Sequence, residues 1–536
     1  MIKDILYFMI NLLKNKRVQR FFIVFLVLAI ILIAVILIFN LTNDKNPVCK
    51  NCNIILISLD TLSANHLPCY GYARDTAPNL CKIGNDNIIF KNAFSNANWT
   101  LPSHVSIFTS LYPEYHNVIF YGDGLSQKIP FLPEILQKNG YETYFYIPGG
   151  SLSLPIDNVY SRGITKILPY SFGLGDIAHE DFYSDPYNNY YNNAFNSFLL
   201  NVEQGKKTFM FVHTYAVHAP YLIDKNKEII YTKDNFENIP LHLKENNTIS
   251  VPFTQEIYER LLADMALEKK GVFWRQWRVF LDENFCEKLK NAKTLEEAEK
   301  IAKSQGNGLF WSFYSPVSPY FSKVDTNDPK QVEYVKALYD QKIKELDEWL
   351  GNELTFFLAN PIIKKNTIVI ITSDHGEEFM EHGAMEHKTV YDSNLKIPLI
   401  LYIPGVTNKT ITAPVQSVDL VPTILDAVGI SADKFFFQGQ SLINLIQKNI
   451  KTERLLVADG HGNTTRVIRK ENWKLFLFKD ENNNYLPYEL YDTNLDPNES
   501  NNVLSSRMSL VNEMIEEYNS YKESWDYLLK PKLTSE

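Results

Sequence analysis

The stretch Ile54-Ile-Leu-Ile-Ser-Leu59, followed directly by Asp60, decides the fold class. Apolar side chains occupy both alternating sets of positions, which is typical of a strand buried on both faces of a parallel sheet. Similar runs recur at residues 144–147, 208–212, 367–372 and 398–403. Between several of these runs lie helical patterns, such as those at residues 132–138 and 335–349. Strands that alternate with helices predict an α/β fold with a mostly parallel sheet.

Side chains of metal-ligand type follow three of these runs where each strand ends. Asp60 follows the first run, His213 follows the run at 208–212, and the pair Asp374 and His375 follows the run at 367–372. Ligands of open α/β sheets bind at the carboxyl ends of the strands. We therefore expect these side chains to meet at one edge of the sheet and to form a binding site there.

Two regions depart from this pattern. Residues 225–330 are helical, charged and aromatic, and we interpret them as a lid with its own small core. A cap that recognises an acyl or glycan group is the alternative. After residue 431, short strand patterns at 466–469, 473–478 and 489–491 precede a helical pattern at 505–521. This order predicts a main domain over residues 53–430 and a C-terminal antiparallel α+β subdomain over residues 431–536.

Residues 21–39 form a run of nineteen amino acids without a polar side chain. A helix of this length spans roughly 28 Å, close to the hydrocarbon thickness of a bilayer. Residues 1–20 carry five basic side chains against Asp4, a net charge of +4, and such a flank stays in the cytoplasm. The sequence thus predicts a cytoplasmic basic segment 1–20, a single transmembrane helix 21–39 in the cell (inner) membrane, a linker 40–52, and a periplasmic or otherwise extracytoplasmic remainder.

Charge and cysteine content exclude other classes of partner. The chain of 536 residues has a formal net charge of -9 and no long basic run after residue 20, so a nucleic acid partner is not expected. Its five cysteines stand at positions 49, 52, 69, 81 and 286, without the second ligand pair of a structural zinc site. Cys49–Cys52 and Cys69–Cys81 are candidate disulfides outside the cell, but the sequence leaves their pairing open.

Five motifs follow one another along residues 53–503. They are Asn53-Ile-Ile-Leu-Ile-Ser-Leu-Asp60, Trp99-Thr-Leu-Pro-Ser-His104, His218-Ala-Pro-Tyr221, Ser373-Asp-His-Gly-Glu377 with His387-Lys388, and Leu490-Tyr-Asp492 with Asp496-Pro-Asn-Glu499. In this order they resemble the sulfatase family of the alkaline-phosphatase superfamily. The resemblance implies a mostly parallel sheet sandwiched by helices, with a catalytic domain over residues 53–430.

Three positions depart from the sulfatase pattern. The opening strand of sulfatases usually ends in two acids, but Thr61 follows Asp60 here. Thr100 stands where sulfatases carry a cysteine or serine that is converted to formylglycine, and His104 stands where their motif has an arginine. Threonine cannot become formylglycine, because its β-carbon already bears a methyl group. The order Asp, Thr, Asp, His at this site resembles the membrane-anchored phosphoethanolamine transferases and lipoteichoic acid synthases of the superfamily. Those enzymes use a metal-activated threonine.

The resemblance implies a metal site formed by Asp60, Thr100, Asp374 and His375, in which Thr100 is also the nucleophile. Two carboxylates and an imidazole suit a divalent ion, which we expect to be zinc, manganese or calcium. One tightly held ion is the expectation. A second, weaker site through His218 and His387 is left open.

The remaining polar side chains are assigned less directly. His218 and His387 are expected to stabilise transition-state charge or to protonate the leaving oxygen, and Lys388 to add positive charge. His104 is expected to orient Thr100, and the role of His213 stays open. Of the other histidines, His116 is predicted to be structural, His382 is undecided, and two are predicted on the surface or in loops: His66 and His461.

The sequence therefore predicts a sulfatase-family ester hydrolase or phosphotransferase that acts on phosphate esters outside the membrane. The expected substrate is a phosphate or sulfate ester whose organic part is a lipid or a glycan. One alternative is a sulfatase that works without formylglycine. It is disfavoured because a threonine sulfate would need a second attack at sulfur. The other alternative is a binding ectodomain without catalytic activity.

Overall fold

The computed structural model describes residues 48–120, 123–147, 161–169, 189–223, 227–239, 287–288, 290–304, 321, 323–448 and 454–534. The predicted basic segment 1–20, the predicted anchor 21–39 and most of the predicted insert 225–330 lie outside the described residues. No helix among the described residues combines the length and the apolar character needed to cross a membrane.

The strands begin and end, in chain order, as follows: β1 Asn53–Leu59, β2 Ile88–Phe94, β3 Tyr141–Ile147, β4 Lys166–Pro169, β5 Lys207–Thr214, β6 Thr367–Thr372, β7 Glu378–Phe379, β8 Met385–Glu386, β9 Lys396–Tyr402, β10 Lys409–Ile411, β11 Val415–Gln416, β12 Leu456–Asp459, β13 Thr465–Lys470, β14 Trp473–Lys479 and β15 Tyr485–Asp492. The helices are α1 Pro78–Asp86, α2 Thr100–Thr109, α3 Pro113–His116, α4 Leu132–Lys138, α5 Asn189–Glu203, α6 Leu295–Ser304, α7 Pro329–Ala359, α8 Pro361–Asn366, α9 Asp392–Leu395, α10 Leu420–Val428, α11 Ile443–Lys448 and α12 Met508–Thr534.

The main sheet has the strand order β10-β2-β9-β6-β1-β5-β3-β4 across the described residues, with β11 added beside β2. Strand β1 lies near its centre and pairs in parallel with β5 on one side and β6 on the other. Strand β9 runs antiparallel to both of its neighbours, β2 and β6. The predicted α/β fold with a mostly parallel sheet is confirmed.

Alternate residues of β1 enter two separate hydrophobic cores, as expected for a strand buried on both faces. Ile54 and Leu56 pack in a core that includes α2, α4 and α10. Ile55 and Ile57 pack in a second core with α1, α5 and α7. Helices thus cover both faces of the sheet, and the polar ends of its strands are left as the place for a site.

The C-terminal strands form the predicted antiparallel sheet, in the order β12-β13-β14-β15. Leu475 and Leu490 from this sheet belong to the same core as the residues of α2 and α4. A buried cluster of charges also joins the two sheets: Asp392 of the main domain lies 2.6 Å from Arg469 and 2.7 Å from Lys474. The subdomain is therefore packed against the main domain through both apolar and ionic contacts.

Both candidate disulfides are formed. Cys49 pairs with Cys52, just before β1, and Cys69 pairs with Cys81, the latter within α1. Cys286 lies outside the described residues.

Candidate active site

Asp60 and Asp374 lie side by side because the strands that precede them are parallel neighbours. Ser58 of β1 is in register with Thr372 of β6, so both strands end at the same edge of the sheet. Asp60, Asp374 and His375 are completely buried. One ligand atom from each lies within 4.8 Å of the others. The structure thus brings together the three predicted side chains of metal-ligand type.

Two carboxylate oxygens in this group have no hydrogen-bond partner among the described residues, Oδ1 of Asp60 and Oδ2 of Asp374. The Nε2 atom of His375 lies 3.7 Å from the first and 3.5 Å from the second. Nδ1 of His375 donates to the carbonyl of Gly376 at 2.9 Å, so Nε2 presents its lone pair to the two carboxylates. Buried acceptors that face one another without a donor are the expected environment of a cation.

Thr100 completes this group from the first turn of α2. Its Oγ1 lies 3.4 Å from Oδ2 of Asp60 and 3.4 Å from Nε2 of His375. Four ligands arranged as a tetrahedron with bonds of about 2.1 Å stand roughly 3.4 Å from one another. The separations of Oγ1 from Asp60 and His375 fit this arrangement, so Thr100 is placed to join Asp60, Asp374 and His375 around a divalent ion of zinc type.

His104 holds Thr100 from one turn further along α2. Its Nδ1 donates to the carbonyl of Thr100 at 2.8 Å, and its Nε2 accepts from the hydroxyl of Ser58 at 2.9 Å. Burial, together with the charge of His213, lowers the pKa of His104 to about 3. The ring is therefore neutral near pH 7, and its contacts suit a role in orienting Thr100.

His218 and His387 lie beside the group of four. The ring of His387 is 4.5 Å from that of His375 and 5.9 Å from that of His218. Nδ1 of His387 lies 3.3 Å from Oε1 of Glu377. Lys388 does not join them: its Nζ lies 3.2 Å from Glu386 and its side chain is 63% exposed. The structure thus places both histidines, but not the lysine, at the site.

Comparison with known proteins agrees with the fold. The family profile described as Sulfatase matches residues 52–430. The chain belongs to the sulfatase family. A second profile, described as N-sulphoglucosamine sulphohydrolase, C-terminal, matches residues 380–523, which include the antiparallel sheet of this sulfatase-family hydrolase.

Individual relatives match over different lengths. Arylsulfatase K of Canis lupus familiaris is 31% identical over 213 residues, which are 36% of this chain and 39% of that protein. The match thus spans about two fifths of that relative's length. N-acetylglucosamine-6-O-sulfatase of Bacteroides thetaiotaomicron is 23% identical over 502 residues, which cover 86% of this chain and 84% of that protein.

Solved structures share the fold of this sulfatase-family chain. A structure in complex with its substrate D-glucosamine-2-N,6-O-disulfate has a TM-score of 0.56 at 22% identity, covering 91% of this chain and 100% of its own. The phosphonate monoester hydrolase of Agrobacterium radiobacter has a TM-score of 0.56 at 17% identity, covering 88% and 96%. An enzyme with a sulfated glucosamine substrate and an enzyme that hydrolyses phosphonate monoesters thus share this fold.

Charge at the candidate site is distributed unevenly between the two carboxylates. Burial and the neighbouring charge of Asp60 raise the pKa of Asp374 well above its ordinary value. Burial also acts to raise the pKa of Asp60, but the hydrogen bond with His213 and the neighbouring charge of His218 hold it below its ordinary range. Nε2 of His213 lies 3.2 Å from Oδ2 of Asp60, which places this histidine, whose role was left open, against the group.

One side chain of the site was missed by the sequence reasoning. Glu377 is part of a quoted motif, but its contact with His387 joins residues ten positions apart and has no signature in spacing. His461, predicted as a surface or loop residue, is exposed, and its ring lies 5.0 Å from that of Trp99.

Three other histidines have contacts away from the site. The prediction of His66 as a surface or loop residue is wrong, because its buried ring lies 2.6 Å from Asp340. The hydrophobic spacing around it does not reveal this distant partner. His116 contacts Ser106 at 3.1 Å, and His382 contacts Glu378 at 3.0 Å.

Proposed function

We propose that this chain is a metal-dependent hydrolase of phosphate esters in which Thr100 is the nucleophile. The observation that carries the proposal is the position of Oγ1 of Thr100, 3.4 Å from both Asp60 and His375. Thr100 also begins a ten-residue helix, whose N-terminal dipole favours negative charge on the hydroxyl and on the ester.

The ligand set favours zinc or manganese over calcium as the bound ion. Calcium takes six to eight oxygen ligands at longer distances. A site with one imidazole and two carboxylates is typical of zinc and also suits manganese. When bound, the ion would supply positive charge that lowers the pKa of the threonine hydroxyl and polarises the ester.

The residues of the chain then divide the reaction into two displacements. Oγ1 of Thr100, which has released its proton to solvent, attacks phosphorus as the alkoxide, and the bond from phosphorus to the leaving oxygen breaks. His218 and His387 stabilise the charge or protonate that oxygen. Water then attacks the phosphothreonine and restores Thr100. If an acceptor hydroxyl takes the place of water, the same residues perform a phosphotransfer.

A sulfate ester is the second candidate substrate, because the relative matched over 86% of this chain is named an N-acetylglucosamine-6-O-sulfatase. Formylglycine releases sulfate by elimination from a hemiacetal, and threonine has no such route. A sulfated Thr100 would have to be attacked again at sulfur. Phosphate esters are therefore preferred, with a lipid or a glycan as the organic group.

We place this activity on the extracytoplasmic side of the cell membrane, anchored by residues 21–39. The proposal rests on the apolar run and on the net charge of +4 that precedes it. Alkaline phosphatase, which is active only outside the cytoplasm, should be active when fused after residue 45. Activity of a reporter that works only in the cytoplasm, fused at the same position, would overturn this orientation.

A substrate panel on the full chain in detergent tests the proposed function. Purified protein is loaded with zinc or manganese and assayed on aryl esters of four kinds: phosphate monoester, phosphate diester, phosphonate monoester and sulfate. We expect turnover of phosphate esters that is lost in Thr100→Ala and partly kept in Thr100→Ser, because serine retains the hydroxyl. Turnover of sulfate alone would favour the second candidate. No turnover and no bound metal would favour a binding ectodomain.

A further inference from the structure

Two consecutive carboxylates follow Asp374 and His375, and each meets a histidine. Oε1 of Glu377 lies 3.3 Å from Nδ1 of His387. Oε1 of Glu378 lies 3.0 Å from Nδ1 of His382. Both carboxylates are buried. The two pairs thus have the same chemistry, and their surroundings decide what each can do.

The Glu378–His382 pair is closed. Nε2 of His382 lies 3.0 Å from the carbonyl of Asn498, and its ring stacks on Tyr391 with centroids 3.6 Å apart. Both nitrogens of the imidazole are therefore used by the protein. This pair joins the main domain to the segment after β15 and has no group left for a substrate.

The Glu377–His387 pair is open on one side. A carboxylate oxygen is an acceptor, so Nδ1 of His387 donates to it. Nε2 of His387 makes no hydrogen bond within the described residues, and the side chain is 22% exposed. The ring lies against that of His375, at 4.5 Å, whose Nε2 is 3.4 Å from Oγ1 of Thr100. The unused nitrogen therefore belongs to the site.

Glu377 is itself held in place from its other oxygen. The hydroxyl of Tyr221, which is completely buried, donates to Oε2 at 2.9 Å. Tyr221 follows His218 by three residues, so the loop after β5 supplies both a histidine of the site and the anchor of this carboxylate. One oxygen of Glu377 is thus fixed by Tyr221 and the other is directed at His387.

The partners of Glu377 differ from those of several other buried carboxylates. Asp419 has Arg454 and Asp459 has Arg466, whereas no lysine or arginine forms an ion pair with Glu377 in the part of the chain that the structure describes. Glu378 likewise has a histidine as its partner. What distinguishes Glu377 is that its histidine lies against the site.

We propose that Glu377, fixed by Tyr221, is the positioning residue that holds His387 with its Nε2–H directed at the leaving oxygen. This inference rests on the proposed function. As the bond from Oγ1 of Thr100 to phosphorus forms and the bond to the leaving oxygen breaks, that oxygen takes the proton from Nε2. In the second displacement, the attacking water returns a proton to Nε2 as the bond from phosphorus to Oγ1 breaks and the alkoxide of Thr100 is restored.

The test compares two phosphate monoesters that differ in how much their leaving group needs a proton. The p-nitrophenolate of p-nitrophenyl phosphate leaves without protonation, whereas the alkoxide of n-butyl phosphate does not. In Glu377→Gln, we expect kcat/KM on n-butyl phosphate to fall about 10- to 100-fold, the usual cost of losing the partner that orients a site histidine. On p-nitrophenyl phosphate, we expect kcat/KM to stay within a few-fold of wild type. The second displacement is common to both esters and does not enter kcat/KM, which reports the steps through release of the leaving group.

His382→Gln is the matched control, because it breaks the neighbouring carboxylate–histidine pair outside the site. It should lower both rates equally or not at all. In addition, Glu377→Gln should have no further effect on the n-butyl rate once His387 is replaced in His387→Gln, since the carboxylate acts through that ring.

Equal losses of kcat/KM on the two esters in Glu377→Gln would overturn the proposal. If Glu377→Gln does not fold, Tyr221→Phe takes its place. A ratio of the rates on the two esters that is unchanged from wild type would then also overturn the proposal. Failure of the proposed function has a different signature. It would appear as turnover by Thr100→Ala, whatever the ratio between the two esters.

Discussion

Two buried pairs of carboxylates in this molecule differ in where their positive charge comes from. Asp392 and Glu499 join the two sheets, and Lys474 lies 2.7 Å from the first and 2.6 Å from the second. Asp60 and Asp374 lie at the edge of the main sheet, with histidines but no lysine or arginine in ion-pair contact among the described residues. The first pair is neutralised by the chain itself, and the second is not.

In each pair, one carboxylate has a lowered pKa and the other a raised pKa, so the two pairs differ only in the groups responsible. Burial opposes ionisation of Asp392, yet Arg469 and Lys474 hold its pKa below the ordinary range. Burial with the charge of Asp392 raises the pKa of Glu499. At the other pair, histidines lower the pKa of Asp60, and burial with the charge of Asp60 raises the pKa of Asp374. Two carboxylates that the chain leaves without a strong cation are suited to receive one from solution. A buried acidic pair is therefore structural or functional according to the cation that the chain provides.

The largest expected effect comes from the pair formed by Asp60 and Asp374. Asp374→Asn should abolish tight metal binding and lower kcat roughly a thousandfold or more, because the ion contributes several kcal/mol to the transition state. Without metal, the variant should melt no lower than the wild type, since it loses one of two buried like charges. Metal analysis of the purified chain and thermal unfolding in chelator measure both.

If the Asp374→Asn variant still holds one metal ion per chain, Asp374 is not one of the metal ligands. A lower melting temperature of the variant in chelator would show that the carboxylate pair stabilises the fold, contrary to the comparison.

The pair formed by Asp392 and Glu499 should respond in the opposite way. Lys474→Met leaves Asp392 and Glu499 without the cation between them, and removing one partner of a buried ion pair costs about 3–5 kcal/mol. We expect a large loss of unfolding free energy in denaturant titrations, with the metal content of the folded fraction unchanged. Loss of metal at unchanged stability would contradict the division between the two clusters.

His116 is a third buried group, and it is uncharged. It extends the comparison because the stability of the fold should depend on pH through this residue. Burial lowers the pKa of His116 to about 3, whereas the unfolded chain takes up this proton near pH 6.5. As pH falls below 6.5, the unfolded state gains the proton first, so stability is lost. Between pH 7.5 and pH 5 this group should cost on the order of 2 kcal/mol.

His116→Asn provides the measurement, because asparagine does not titrate in this range. The melting temperature of the variant should fall less between pH 7.5 and pH 5 than that of the wild type. Equal falls would show that His116 does not set the acid sensitivity of the fold.

The elements that could be predicted from the sequence are those with a local pattern, such as an apolar run followed by polar residues. The buried strands at β1, β5, β6 and β9 were visible as apolar runs, and the polar residues after them marked Asp60, Asp374 and His375. Helix α4 was predicted with its observed bounds, Leu132–Lys138. Strands β2 and β12 were not predicted, because Ile88–Phe94 is interrupted by Lys91 and Asn92 and Leu456–Asp459 is only four residues long.

Contacts between distant residues could not be predicted from spacing. Asp340 faces His66 across 274 positions, and Tyr221 faces Glu377 across 156. Lys388 shows the converse, since it lies next to His387 in the sequence but directs its amine at Glu386. Neighbouring residues in a loop face different ways, and only the packed structure determines which of them reaches the site.

The most direct test of the central claim is a search for a covalent intermediate on Thr100. Full chain loaded with metal is mixed with a phosphate ester, quenched in acid during turnover and digested, and the peptides are analysed by mass. We predict a phosphate on the peptide that contains Thr100, and none in Thr100→Ala, which should also have lost turnover. Wild-type turnover by Thr100→Ala, with no phosphorylated peptide in either protein, would contradict the account, because water would then be the nucleophile.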